Sequence, residues 1–298
     1  MSSDVCLLYF EDEAQFAIKL AHDAGLIPQL IRRHRFPDGE LKLRLPQELP
    51  SDVVILRSLV DPNEKLVELL LTAHCARQLG AQHLTLVAPY LAYMRQDIAF
   101  QPGEVVSQRV VGSFLDSLLD ALITVDPHLH RITTLDEAFP TAATVVLSGA
   151  PLLGDLIAQQ HLHPLLIGPD AESAQWVAAA AQKYGLEFGV CEKIRHGDHD
   201  VEITLPSIHV KGRAVVLLDD VASSGQTLAR AAQLLLAAGA ASVDVAVTHA
   251  LFAGDALNVL VNAGILQIWS TDCIRHKSNA VSMSSAIAMS LINLTKPS

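Results

Sequence analysis

Residues Ala214 to Arg230 read AVVLLDDVASSGQTLAR, and the architecture of the chain can be argued outward from them. Val215, Val216, Leu217 and Leu218 run without a polar break, the pattern of a strand buried on both faces. Asp219 and Asp220 follow at once, then the small-residue loop Val221-Ala222-Ser223-Ser224-Gly225. Gln226, Thr227 and Leu228 open a helix-forming run to Ala238. Free backbone N–H groups at a helix start, with hydroxyls beside them, bind a phosphate. Adjacent carboxylates suit sugar hydroxyls or a magnesium ion. An ordinary strand-to-helix turn with a Ser or Thr cap accounts for the same small residues. Capping alone does not require a paired Asp-Asp at the strand end.

A chain of 298 residues allows two domains of ordinary size or one large one. Half of the residues are hydrophobic and 18% are charged, enough apolar material for a sizeable core. Apolar strand-like runs alternate with Ala/Leu-rich stretches, which predicts an α/β protein. The formal net charge of -11 excludes general nucleic-acid binding through the phosphate backbone. A polyanionic metabolite still fits wherever Lys, Arg, backbone amides and a metal converge on one cleft. Cys6, Cys75, Cys191 and Cys273 are far apart, so they read as reduced thiols and not as a zinc site or a disulfide frame. The start MSSDVCLLYF lacks a basic segment and a long apolar one, and no apolar run reaches membrane-spanning length. The expectation is a soluble, cytoplasmic protein with neither membrane nor nucleic acid as partner.

Upstream of the acidic pair, Leu165 to Ile167 reads as a strand delivered into Gly168-Pro169-Asp170-Ala171-Glu172-Ser173, with a helix to about Tyr184. Phe188 to Val190 is another strand, and the polar run Cys191 to Asp200 is long enough for a mobile flap. Downstream come strands at Ser242 to Val247, ending in Thr248-His249, and at Ile265 to Trp269, then a closing helix from Ser282 to Leu294. The first half has the same grammar. Strands are predicted at Val5–Phe10, Pro28–Ile31, Leu41–Leu45, Asp52–Arg57, His83–Ala88 and Leu122–Val125. Helices are predicted at Glu11–Ala24, Glu64–Leu79 and Val106–Leu119. Val145 and Val146 are placed near a domain crossing. Arg77-Gln78-Leu79-Gly80-Ala81 and Leu236-Ala237-Ala238-Gly239-Ala240 both lead into apolar strands, an echo that two related halves or a shared helix-Gly-strand grammar would produce. The polar clusters fall after the carboxyl ends of strands, where open parallel sheets place ligands.

Asp126, His128 and His130 would share one side of an extended chain and could present metal ligands together; a solvated turn is the other reading. Lys193 and Arg195 are candidates for stabilising charge on a transferred phosphoryl group, or else part of a surface loop. Arg95, Gln96 and Asp97 follow a Tyr-rich turn and suit gripping a nucleotide. Phe36, Asp38 and Glu40 could stack on a purine and accept from its amine, although FPDGE by itself is also a hairpin turn.

The order FPDGE, PYLAYMRQD, VDPH, GPDAES, the Lys193/Arg195 pair and VVLLDDVASSGQTL resembles the ribose-phosphate pyrophosphokinases (phosphoribosyl pyrophosphate synthetases) over about residues 5 to 290. The resemblance implies two phosphoribosyltransferase-like domains, each a mostly parallel sheet flanked by helices, at 1–143 and 144–282, with the helix at about 283–298 packing on the first. It implies diphosphoryl transfer from Mg-ATP to the 1-hydroxyl of ribose 5-phosphate. Ser223, Ser224, Gly225, Gln226 and Thr227 would hold the 5-phosphate, and Asp219 and Asp220 the ribose 2- and 3-hydroxyls. Gly168 to Ser173, including Asp170, Ala171, Glu172 and Ser173, would lie against the pyrophosphate. His128 and Asp170 would stand near Mg²⁺, with Asp126 and His130 less suited. Arg95, Gln96 and Asp97 would meet ATP, and Lys193 and Arg195 would act catalytically from a closing flap. Phe36, Asp38 and Glu40 would approach the adenine of a neighbouring subunit, which makes a homo-oligomer with a shared ATP site.

The chain departs from the family pattern at three points. Ser223 to Thr227 is SSGQT where DTGGT is common, Asp170 to Ser173 is DAES where DAGG is, and Ile98 stands where a basic residue often follows RQD. A catalytically silent homologue that binds synthetase subunits, and a phosphoribosyltransferase, are the alternative functions; FPDGE and the RQD stretch disfavour the second.

Overall fold

The structure, a computed structural model, describes residues 5–129, 134–195 and 201–294. These divide into two units, the first running to Leu147 and resuming at Met283, the second covering Ser148–Ser282.

In the first unit, β1 (Val5–Tyr9) and α1 (Ala14–Ala24) lead to β2 (Ile27–Leu30), and a hairpin of β3 (Arg32–Arg35) and β4 (Leu41–Arg44) follows. Then come β5 (Asp52–Leu56), α2 (Pro62–Gln78), β6 (His83–Ala88), α3 (Ser107–Asp116), β7 (Ala121–Val125) and β8 (Ala143–Leu147). Six strands form one sheet in the order β2-β1-β5-β6-β7-β8, every pair parallel. Val145 and Val146, placed near a crossing from sequence, are inside β8 and pair with Ile123 and Thr124 of β7.

The second unit opens with α4 (Ala150–Gln160), β9 (Leu165–Gly168), α5 (Ala174–Gln182) and β10 (Phe188–Val190). A hairpin of β11 (Glu192–Arg195) and β12 (Val201–Thr204) follows. Next are β13 (Ala214–Ala222), α6 (Gln226–Ala237), β14 (Ser242–Ala250), α7 (Ala256–Asn262), β15 (Ile268–Thr271) and β16 (Asn279–Val281). Its sheet runs β10-β9-β13-β14-β15-β16, again parallel throughout. The last helix, α8 (Ser284–Leu294), packs on α1 of the first unit, where the Ser284 and Ser285 hydroxyls donate to Asp23 at 2.7 and 2.8 Å.

The two sheets share one strand order, and each carries an antiparallel hairpin between its second and third sheet strands in sequence. The sequence echo falls on equivalent elements: α2 before β6 and α6 before β14 close with the same backward bond, Ala81 N to Ala76 O and Ala240 N to Leu235 O, each 3.0 Å. The same bond also closes α1, Leu26 N to Ala21 O at 2.9 Å, and α5, Leu186 N to Ala181 O at 3.1 Å, so the helix-Gly-strand grammar produces it as readily as related halves do.

The unbroken apolar run in β13 has a direct cause. Val215 and Leu217 face α6 and α7, with Leu228, Leu235 and Leu260, while Val216 and Leu218 face α4 and α5, with Leu153, Ile157, Trp176 and Val177. Both faces are covered, so neither can be polar. The expected strand from Ile265 starts three residues later, because Ile265 N bonds Leu260 O to close α7, a helix the periodicity did not predict. No described helix is long and apolar enough to cross a membrane.

Candidate active site

In a sheet of this order the chain leaves the first and third sequential strands in opposite directions, and the loops beyond their carboxyl ends flank a crevice suited to a ligand. In the second unit that switch point lies between β9 and β13, which pair in parallel.

β13 does not stop at the acidic pair. It continues to Ala222, since Val221 and Ala222 remain in register with His249 and Ala250 of β14. The predicted five-residue loop is thus only Ser223 to Gly225. Asp220 is buried and Asp219 half-buried, and the Asp220 N–H donates to Asp219 Oδ1 at 3.0 Å. Removal from water, then the charges of Asp220 and Asp170, push the Asp219 carboxyl well above its usual range. Crowded carboxylates of this kind have a use for hydroxyl donors or a cation.

Gly225 precedes α6 with φ 74 and ψ -2, the left-handed region. A Cβ there would meet Ala256 O and Leu260 at 3.3 Å, so glycine answers both the backbone and the space. No side chain caps α6. The first-turn N–H groups of a helix have no partner inside it, so those of Gln226 onward suit an anion. Ser224 and Gln226 are exposed and Ser223 and Thr227 half-buried, while Leu228 seats the turn in the core.

The loop after β9 is a tight turn. Asp170 is extended, and its Oδ1 accepts from Glu172 N at 3.1 Å. Ser173 is buried and its hydroxyl donates to Asp170 O at 2.5 Å, so that hydroxyl serves the turn. A Cβ on Gly168 would run into the Ser173 side chain and come within 2.9 Å of Val190 Cγ1. Ala171 and Glu172 are exposed.

The polar run expected as a flap begins with a buried residue, Cys191, whose N–H donates to Gly168 O at 2.8 Å. Lys193 and Arg195 lie on β11, opposite Ile203 and Val201 of β12. His196 to Asp200 lie outside the described residues.

In the first unit, the chain after β6 delivers Arg95 to the surface, half-buries Gln96 and buries Asp97. The Gln96 side chain accepts from Ser107 Oγ at 3.1 Å, so of the three only Arg95 stands open to solvent. After β7, Asp126 adopts φ 36 and its N–H donates to Leu147 O at 2.8 Å. The chain bends there, so the alternation that would align Asp126 with His128 does not apply. Asp126 is buried and His128 half-buried; His130 lies outside the described residues. Among the described residues no three His, Cys, Asp or Glu side chains gather as a metal cage. Magnesium usually takes one or two carboxylates plus substrate phosphates. Asp170, an oxygen donor among neighbouring carboxylates, has the hard chemistry such an ion takes.

FPDGE is the tip of the β3–β4 hairpin: Phe36 N donates to Glu40 O at 2.9 Å, and Glu40 N to Asp38 Oδ1 at 3.2 Å. Phe36, Asp38 and Glu40 are all exposed. Phe36 meets His34 edge to face, with ring centroids 4.8 Å apart. The sequence reading missed a charged cluster around Arg57, at the equivalent switch point of this unit. Its one available signal was an arginine set directly after an apolar strand, VVILR.

Residues 5–118 match the family model described as the N-terminal domain of ribose phosphate pyrophosphokinase, and residues 149–259 match the phosphoribosyl transferase domain. The ribose-phosphate pyrophosphokinase of Methanopyrus kandleri is 38% identical over 276 residues, 92% of this chain and 93% of that protein. Ribose-phosphate pyrophosphokinase 2 of Archaeoglobus fulgidus is 36% identical over 254 residues, 85% of this chain and 88% of that one. In fold, the chain is similar to the crystal structure of phosphoribosylpyrophosphate synthetase from Mycobacterium smegmatis, with TM-score 0.85, 21% identity and 98% of each chain covered.

Proposed function

Because the chain belongs to the ribose-phosphate pyrophosphokinase family, we propose that it transfers the β,γ-diphosphoryl group of ATP to ribose 5-phosphate, giving phosphoribosyl pyrophosphate and AMP. The observation that carries this reading is the uncapped start of α6 behind Gly225, set beside the Asp219–Asp220 pair and the Asp170 turn at one switch point. A phosphate on the first-turn N–H groups of α6 leaves the sugar hydroxyls to Asp219 and Asp220. The Ser223, Ser224 and Thr227 hydroxyls and the Gln226 amide add donors around it.

The 1-hydroxyl oxygen forms the new bond to the β-phosphorus, and the bond from that phosphorus to the oxygen bridging to the α-phosphorus breaks. The hydroxyl proton is released and AMP leaves with the bridging oxygen. Positioning and charge neutralisation carry such a transfer, with little covalent work for the protein. Lys193 and Arg195, on β11, supply cations where charge accumulates. Arg95 grips the triphosphate, with Gln96 and Asp97 shaping its turn. Phe36, Asp38 and Glu40 meet the adenine of a neighbouring subunit, so the active form is a homo-oligomer. Asp170, followed by the exposed Ala171 and Glu172, faces the pyrophosphate. Asp170 and His128 are each proposed as a magnesium ligand; the ion, if bound, would neutralise charge on the triphosphate.

The match of residues 5–118 to a pyrophosphokinase domain has no place in a simple phosphoribosyltransferase. Purified protein given ribose 5-phosphate, Mg²⁺ and ATP is expected to form AMP and phosphoribosyl pyrophosphate in equal amounts. If no AMP forms above a Lys193→Ala control at any phosphate concentration, the proposal fails and the silent-homologue reading takes its place.

A further inference from the structure

The two units repeat one strand order, so their switch points can be compared residue by residue. In the second unit the loop after the first sheet strand holds Asp170 and the third sheet strand carries Asp219 and Asp220. In the first unit the loop after β1 is the acidic 3-10 turn Glu11–Glu13, and Arg57 follows β5 directly. The residue before α2 is again left-handed, Asp61 at φ 50, as Gly225 is before α6. The chemistry across the crevice differs. Where the second unit sets carboxylates on both sides, the first sets a guanidinium against acids, and they neutralise each other.

Arg57 is 1% exposed and Glu68, on α2, is 0% exposed. Arg57 Nη1 lies 2.8 Å from Asp12 Oδ2 and 3.3 Å from Glu13 Oε2, and its Nη2 pairs with Glu68. Its guanidinium sits 4.4 Å from the centroid of the Phe10 ring. Ser58 N–H donates to Glu13 Oε1 at 2.6 Å, and Lys65 Nζ donates to Ser58 O at 2.6 Å. Arg33, Arg57 and Lys65 thus face Asp12, Glu13 and Glu68. The crevice that in the second unit suits an anionic sugar is here filled by the chain's own ions.

The cluster also reaches the hairpin. Arg33 of β3 pairs with Glu68 and lies 3.6 Å from Asp12, and Arg35 pairs with Glu64, one helical turn before Glu68 on α2. All four residues of β3 are exposed, so these pairs fasten the hairpin to its unit together with the buried Ile31 before β3 and Leu45 after β4 and the half-buried Leu43 of β4. One residue beyond Arg35 begins the Phe36 to Glu40 tip.

We infer that Arg57 and Glu68 are positioning residues for ATP: the first unit's switch point is an internal ion cluster that, through Arg33, anchors the β3–β4 hairpin and aims Phe36, Asp38 and Glu40. This rests on the adenine role proposed above. It assigns work to buried residues that touch no substrate.

The test uses full-length Arg33→Gln and Glu68→Gln. Arg33 is partly exposed, so Arg33→Gln keeps the test open if Glu68→Gln does not fold. Each variant is expected to raise KM for ATP about tenfold, the size of a lost coupled contact. KM for ribose 5-phosphate, and kcat at saturating ATP, are expected to stay within about twofold of wild type on the same scale. The double variant is expected to be no worse than Glu68→Gln. Amide exchange at residues 32–44 is expected to speed up in both variants while that of β13 and β14 does not. If KM for ATP is unchanged in an active enzyme, or if KM rises for both substrates while kcat falls, the positioning role is wrong. If the wild type itself forms no AMP, the proposed function fails, and unchanged exchange at 32–44 would then sink the anchoring as well.

Discussion

Replacing Gly225 by alanine probes whether the start of α6 must be shaped as it is. At φ 74 an alanine pays roughly 1–2 kcal/mol for the left-handed backbone, offset by about 0.4–1 kcal/mol from its stiffer unfolded chain. Its Cβ would also stand 3.3 Å from Ala256 O and from Leu260, so α7 or the loop must give by a few tenths of an ångström. Gly185→Ala separates these terms: it lies in the same unit at φ 59 with nothing within 4 Å of a Cβ, so it carries the backbone cost alone. Gly225→Ala is expected to destabilise the second unit by about 1–2 kcal/mol and lower its melting temperature by roughly 3–6 °C. Gly185→Ala should cost less. Because this turn aims the first-turn N–H groups, Gly225→Ala should also raise KM for ribose 5-phosphate about tenfold, or ~1.4 kcal/mol, with Gly185→Ala near wild type. Calorimetry with steady-state kinetics on both variants decides it. Equal melting shifts with an unchanged KM for ribose 5-phosphate would refute the reasoning that the Gly225 turn forms the phosphate grip.

Other perturbations test other parts of the site. Asp219→Asn removes a carboxylate whose ionisation is opposed by burial, Asp220 and Asp170. The unliganded variant should melt higher at neutral and alkaline pH yet lose affinity for ribose 5-phosphate, and a variant that melts lower without that loss contradicts the assignment. In wild type the same raised pKa makes ribose 5-phosphate bind better as pH rises, a slope that Asp219→Asn should flatten in titrations across pH. Burial, opposed by Arg57 and Lys65 and aided by Asp12, pushes Glu13 from 4.5 to about 7. The folded state therefore keeps a proton that the unfolded chain releases, so this contribution to stability is present in acid and is lost as pH climbs from about 4.5 to about 7. Glu13→Gln should gain on wild type by up to about 3 kcal/mol between pH 5 and 8 in urea unfolding, and a constant difference would dismiss it. Lys193→Ala should cut kcat about a hundredfold or more with little change in either KM, measured by AMP release; a pure KM effect would move Lys193 from catalysis to binding.

The duplicated strand order gives these variants a common frame. The same crevice is lined by the carboxylates Asp170, Asp219 and Asp220 in the second unit, where a ligand is proposed, and closed by ions in the first. Breaking a buried ion pair costs far more than an exposed one returns, because the remaining charge is stranded away from water. Such a cluster holds a hairpin in one place, and that is the property a substrate-aiming element needs.

The unbroken Val215 to Leu218 run, the acidic pair behind it and the small residues before Gln226 were enough to specify a doubly covered parallel strand and a small-residue turn that opens a helix. These are local: they depend on side-chain size, polarity and backbone freedom within one loop. FPDGE as a hairpin tip was legible for the same reason, since Asp38 and Gly39 shape it through bonds within five residues. Other features depended on partners far along the chain. β13 runs on to Ala222 because β14 continues beside it, and β15 starts late because α7 claims Ile265. Asp126 leaves the alignment with His128 because its backbone bends where it bonds Leu147. The Arg57 cluster gathers residues from positions 12 to 68, none of which looks unusual in its own neighbourhood. Sequence determined the chemistry each loop can offer; only the packing of distant elements decided which charges are stripped of water and forced to face one another.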